Sequence, residues 1–149
     1  MKKHRVKIFA VIIALLTIVA AVFYFEQREE ILEGSLQITA GTRTVTLDPS
    51  KFERIQVSGI RVNGKGEEIP VNGLGIALKD VLSKAQITDY ALVKVMSDDS
   101  YSAEISAEEV EDGTRAFLLF EEEDELRLVV FGDENSKRSV SDVVQIVVE

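Results

Sequence analysis

From residue 36 to the C-terminus, apolar and polar positions alternate in short runs broken by turn residues, the period-2 signature of half-buried β-strands. LQITA (36–40) and RTVTL (43–47) predict two strands joined at Gly41, and DPSKF predicts a turn with Pro49 at the start of a single helical turn. RIQVSGIRV (54–62) alternates again, meets the hairpin signal NGKG, and returns as EEIPV. LVKVM, YSAEI, RAFLLF, LRLVVF and DVVQIVV complete the set of strand-like segments, with SDDS as a turn and EEEDE (121–125) as a solvated hairpin tip.

Two segments break the alternation. After NGLG, read as a turn, Leu78, Val81, Leu82 and Ala85 fall at i, i+3, i+4 and i+7, which places them on one face of an amphipathic helix. Ser106 followed by Glu109 fits a capping box that starts a short helix AEEVED ending at Gly113. The expected fold class is therefore α+β: a mixed, mainly antiparallel β domain of about eight strands with one or two helices.

The N-terminus has a different pattern. MKKHRVK carries Lys2, Lys3, Arg5 and Lys7 without an acid, and an almost uninterrupted apolar run follows from Ile8 to Phe25. As a helix this run would be about 27 Å long, near the thickness of a hydrocarbon core. The expectation is a cytoplasmic basic tail at 1–7, an uncleaved transmembrane signal anchor at 8–25, a polar stalk at 26–35 and an extracytoplasmic domain at 36–149, with single-pass insertion in the cell membrane. Ala20 and Ala21, the small residues near the end of the run, precede Val22 to Phe25 rather than a polar mature start, which disfavours a cleaved signal peptide.

Charge narrows the partners. From Glu26 onward thirteen Lys and Arg face 26 Asp and Glu, a net charge near −13. Such a surface repels nucleic acid and favours small cations. The chain has no cysteine, and its single histidine is His4, in the basic tail. Thiolate chemistry, disulfides and imidazole general-base catalysis are thereby absent from the outward domain. GKGEE lacks the ending of a phosphate loop.

The stretch SDDSYSAEISAEE (97–109) puts Asp98, Ser100, Ser102 and Glu109 at positions 1, 3, 5 and 12 of a calcium-type loop. Ala103 stands where the sharp turn needs glycine, and a strand-like segment replaces the entering helix, so the stretch reads as a turn followed by a helix cap. EEEDE reads as a charged tip that keeps two apolar strands from pairing with other chains. Tyr101, Arg127 and the pair Lys137 and Arg138 are the outward residues able to meet an anion.

In order, VNGKGE, GIALKDVLSKAQI, VKVMSDDSYSAEIS and LRLVVFGDENSKRSVSDVVQIVV resemble the molybdopterin-binding domain of the sulfite-oxidase type, in its short membrane-anchored bacterial form. The resemblance covers residues 57–149, and 36–56 weakly. It implies that fold, an oxidoreductase ancestry, and molybdopterin as the family's cofactor, with Arg127 and Tyr101 as the cofactor-binding candidates. The segment before the L-x-D-V-L helix lacks the molybdenum-ligating cysteine of that family, and Ser100 replaces the glycine of its D-G-Y turn. Arg61 and Arg127 are the counterparts of its basic residues, and only Arg127 lies in a matching motif. MKKHRVKIF has no adjacent arginine pair, so export of a folded, cofactor-loaded chain is not expected. The expectation is a non-catalytic binding or interaction module with no cofactor and no metal, its partner an unidentified protein or small molecule outside the membrane. The alternatives are a molybdopterin oxidoreductase with an atypical ligand and an acidic calcium-responsive surface domain.

Overall fold

The computed structural model describes residues 2–26, 34–122 and 125–149. They fall into two units, 1–30 and 31–149. The first holds helix α1, Lys2–Glu26. Ile8, Val11, Leu15, Leu16, Ile18 and Val22 are all exposed on it, so its apolar side chains point to every side. Among the described residues no helix is long and apolar enough to cross a membrane. The transmembrane helix expected at 8–25 is corrected accordingly: the described residues hold no helix that meets the length and apolarity of a span. Of the stalk expected at 26–35, residues 27–33 lie outside the described ones.

The second unit is mostly β, which corrects the α+β class. Among the described residues nine strands form two sheets, and its two α-helices are short. The strands are β1 Leu36–Ala40, β2 Arg43–Leu47, β3 Ile55–Val62, β4 Glu68–Ala77, β5 Leu92–Ser97, β6 Ser102–Ser106, β7 Ala116–Phe120, β8 Leu126–Val130 and β9 Val143–Val148. Sheet A runs β2-β1-β9-β5-β6 and sheet B runs β3-β4-β7-β8. All neighbours are antiparallel except β1 and β9, where Ile38 lies beside Ile146 in a parallel pair. Pro49–Lys51 forms one 3-10 turn, capped by Asp48, whose carboxylate accepts from the Ser50 amide at 3.0 Å.

Helix α2, Leu78–Lys84, buries Leu78, Val81 and Leu82 completely and Ala85 almost so, the face predicted from their spacing. The core joins these residues to Leu36, Ile38, Val93, Val95, Ile105 and Ile146 of sheet A and to Ile76, Leu118 and Leu128 of sheet B. A smaller cluster, Val57, Val71, Leu119 and Val129 with Phe117 and Phe131 against it, forms within sheet B. Burial of one such side chain is worth about 1.5–3 kcal/mol, so the α2 face and the two inner sheet faces hold the unit together.

NGLG is not a turn. Strand β4 runs through it and enters α2 directly. Gly75 is required there by proximity: a Cβ on it would lie 2.7 Å from the Leu118 carbonyl oxygen and 3.2 Å from Val57 Cγ2. The glycine lets β4 approach β7 where the strand leaves the β3–β4 hairpin and joins the body of the domain.

Leu82→Ala is expected to lower unfolding free energy by about 2–5 kcal/mol, as a cavity opened in a filled core, whereas Glu104→Ala on the exposed face of β6 is expected to change it by no more than about 0.5 kcal/mol. Equal shifts in urea titrations would contradict this assignment of faces.

Candidate binding surface

The densest polar constellation lies where α3, Ala107–Asp112, meets the start of β7 and the segment after β8. Ser106 caps α3 in a full capping box: its hydroxyl accepts from the Glu109 amide at 3.3 Å, and the Glu109 carboxylate accepts from the Ser106 amide at 3.3 Å. Gly113 closes the helix in the left-handed region, φ 71°. Capping fixes Glu109 so that its carboxylate faces two arginines. Arg138 donates to Glu109 Oε2 from Nη1 at 2.8 Å and to Oε1 from Nη2 at 2.9 Å, a bidentate fork. Its Nε donates to Asp133 at 2.8 Å. Arg115 donates to Glu109 at 2.9 Å, to Asp133 at 3.2 Å and, from Nε, to the Phe131 carbonyl at 3.0 Å.

All four side chains are half-buried or less exposed, with Asp133 at 14 % and Glu109 at 21 %. Hydrogen bonding from Arg138, opposed by burial and aided by Ser106 and Arg115, holds the Glu109 carboxyl down to about 2. Arg138 is held above its ordinary range, first by Asp133 and then by Glu109. Two cations and two anions cancel, so the cluster is a structural clamp rather than an anion trap. A second, smaller link is Tyr90, whose hydroxyl donates to Glu111 at 2.6 Å, while Lys79 of α2 pairs with the same carboxylate at 2.9 Å. Burial first, then Glu111, raises the Tyr90 phenol above its usual value.

Beside the clamp, an open groove of about 630 Å³ separates the tip of the β3–β4 hairpin, at Ile60, Val62 and Glu68, from Phe131 to Glu134. Its lining is apolar at Ile60 and Phe131 and carboxylate-bearing at Glu68 and Glu134. Asp133 on the same side is already neutralised by its arginines. The groove suits an apolar group carrying positive charge.

The residues singled out from sequence are kept apart. Arg127 lies on β8 of sheet B, where its Nε donates to Glu121. Tyr101 lies in the turn before β6 of sheet A; its hydroxyl donates to the Lys137 carbonyl at 2.6 Å, tying that turn to the segment after β8. Of the basic pair, Arg138 belongs to the clamp, and Lys137 contributes backbone groups to Tyr101 and to the Asn135 side chain. Arg61 stands on β3, half-buried.

The SDDS stretch is indeed a turn, organised by Asp99 rather than Asp98. The Asp99 carboxylate accepts from the Ser97 hydroxyl and from the Tyr101 amide at 3.0 Å, and these bonds, Ser97 first, lower its pKa. Ser100 sits at φ 71°, the conformation for which glycine is the ordinary choice. Ser102 belongs to β6 and Glu109 to the clamp, so the spacing of a calcium loop does not become a shared site. Among the described residues no group of three or more His, Cys, Asp or Glu is placed to hold a metal ion.

The residues present do not fit a molybdopterin. No thiolate is available to the metal, the guanidinium expected to meet the phosphate is engaged by Glu121, and of the two candidate residues Arg127 lies on sheet B whereas Tyr101 lies in the turn before β6 of sheet A. Arg115 was not singled out from sequence, because no local spacing links it to Glu109 or Asp133. No family model matches the chain, and no curated protein matches it.

Glu109 is harder to protonate in the fold than in the unfolded chain, so its stabilisation is fully present above pH 4.5 and is lost as pH falls toward about 2. Glu109→Gln keeps the capping geometry and removes the charge. The variant is expected to be less stable at neutral pH and to lose less stability between pH 4.5 and 2 than the wild type; parallel pH dependences in denaturant titrations would assign the acid sensitivity elsewhere.

Proposed function

We propose that the protein is a non-catalytic binding or interaction module, its domain displayed outside the cell membrane. The observation that carries this reading is the closure of Arg127 on Glu121: the one basic side chain in a family-like motif is spent inside the domain instead of facing a cofactor phosphate. Arg115 and Arg138 are spent in the same way on Glu109 and Asp133. With no thiol in the chain and its one imidazole at His4, the outward domain has neither a cysteine nucleophile nor a histidine base. The likeness of the four sequence segments to the sulfite-oxidase-type domain is then one of ancestry, with the redox chemistry lost and a binding surface retained. The groove between the hairpin tip and Phe131–Glu134 is the recognition surface in this reading, and a cationic or apolar-cationic ligand is its match.

Protein isolated from its own membrane is expected to carry no molybdenum. Stoichiometric molybdenum, lost on Arg127→Ala, would restore the enzyme and overturn the proposal. Protease added to intact protoplasts is expected to remove the domain from residue 36 onward; full protection would refute its display outside the membrane.

A further inference from the structure

Strand β3 is the outer strand of sheet B, so one side of its backbone has no strand beside it among the described residues. It is eight residues long, whereas the outer strands of sheet A, β2 and β6, have five each. It carries two of the large apolar side chains that the second unit exposes, Ile55 at 45 % and Ile60 at 54 %. Residues 54–66 hold three basic residues and no acid in a chain of net charge −9. Strand β3 itself therefore brings no acid to an approaching acidic domain.

The edge also carries a matched pair of charges. Glu53, two residues before the strand, and Arg61, within it, take part in no ion pair of the domain among the described residues. In extended chain they project to the same face, because their separation is even. Val57 lies midway between them. We infer that β3 is a docking edge for a second copy of this chain, paired antiparallel about a two-fold axis at Val57, with Glu53 of each copy against Arg61 of the other.

Register decides the details. Pairing about Val57 sets Ile55 opposite Gly59, the position where Phe131 takes the place of a side chain: a Cβ on Gly59 would lie 2.7 Å from its ring. The exposed isoleucine of one copy thus meets an aromatic ring of the other. On the opposite face Arg54 meets Ile60, and Gln56 meets Ser58. Pairing about Ser58 instead would set Ile55 against Arg61 and Glu53 against Asn63, leaving both charges without partners. Arg61 alone would discourage edge pairing, as charges on outer strands do. Glu53 at the mirror position turns that charge into a register signal for an isologous dimer.

The test is sedimentation of the full chain in density-matched detergent. The wild type is expected to dimerise, and more weakly at high salt. Glu53→Arg and Arg61→Glu each place like charges opposite at both symmetric ends, and each is expected to weaken the dimer roughly tenfold. The double variant Glu53→Arg with Arg61→Glu restores opposite charges and is expected to return to near wild-type association. Circular dichroism confirms that each variant is folded; should Arg61→Glu fail to fold, Glu53→Arg, at an exposed position outside the strand, provides the single-reversal arm. A monomer at every concentration, single reversals without effect, or a double variant no tighter than the singles would each overturn the inference.

Discussion

Glu109 is the point on which the upper part of the domain depends. A helix of six residues has no stability of its own, since the nucleation cost is spread over too few hydrogen bonds. The carboxylate of Glu109 supplies what length cannot: it caps the first turn from within and anchors that turn to Arg138 and Arg115. Through these arginines the start of β7, the Phe131 carbonyl and Asp133 are fixed relative to α3. Removing one partner would leave charges in a half-buried setting without compensation, which is why such clusters behave as units. The groove beside the clamp inherits its shape from it, because Asp133 belongs to both.

Much of the fold was legible before the structure, for physical reasons that can be named. Alternation located the strands because each sheet has one face toward the core, and the spacing of Leu78, Val81 and Leu82 located α2 because a helix on a sheet buries one stripe. The capping box and Gly113 were readable because caps are local chemistry. What failed was non-local. NGLG has the composition of a turn, yet Gly75 is there for the backbone of β7, which no neighbouring residue announces. The α+β expectation follows a conspicuous helical pattern, whereas the two helices span only seven and six residues beside nine strands.

The site was less legible than the fold. Arg138 stands 29 residues from Glu109 and Arg115 lies 16 from Phe131, so their convergence follows from chain topology alone. Tyr101 and Arg127 stand out by their chemistry, yet each is engaged within the domain, Arg127 by nearby Glu121 and Tyr101 by the distant Lys137 carbonyl. The acidic run at 97–109 contained a real organising carboxylate, Asp99, but its neighbours serve a turn, a strand and a cap in succession.

Strand β9, the last in the chain, lies in the middle of sheet A between β1 and β5. The sheet is incomplete without it: the hairpins β1–β2 and β5–β6 each present an open edge until residues 143–148 arrive. At synthesis rates of roughly 5–20 residues per second, the wait between β1 and its parallel partner is on the order of 5–20 seconds. Only in the last third of that interval, once β6 has been made, does the nascent chain hold both half-sheets with open edges.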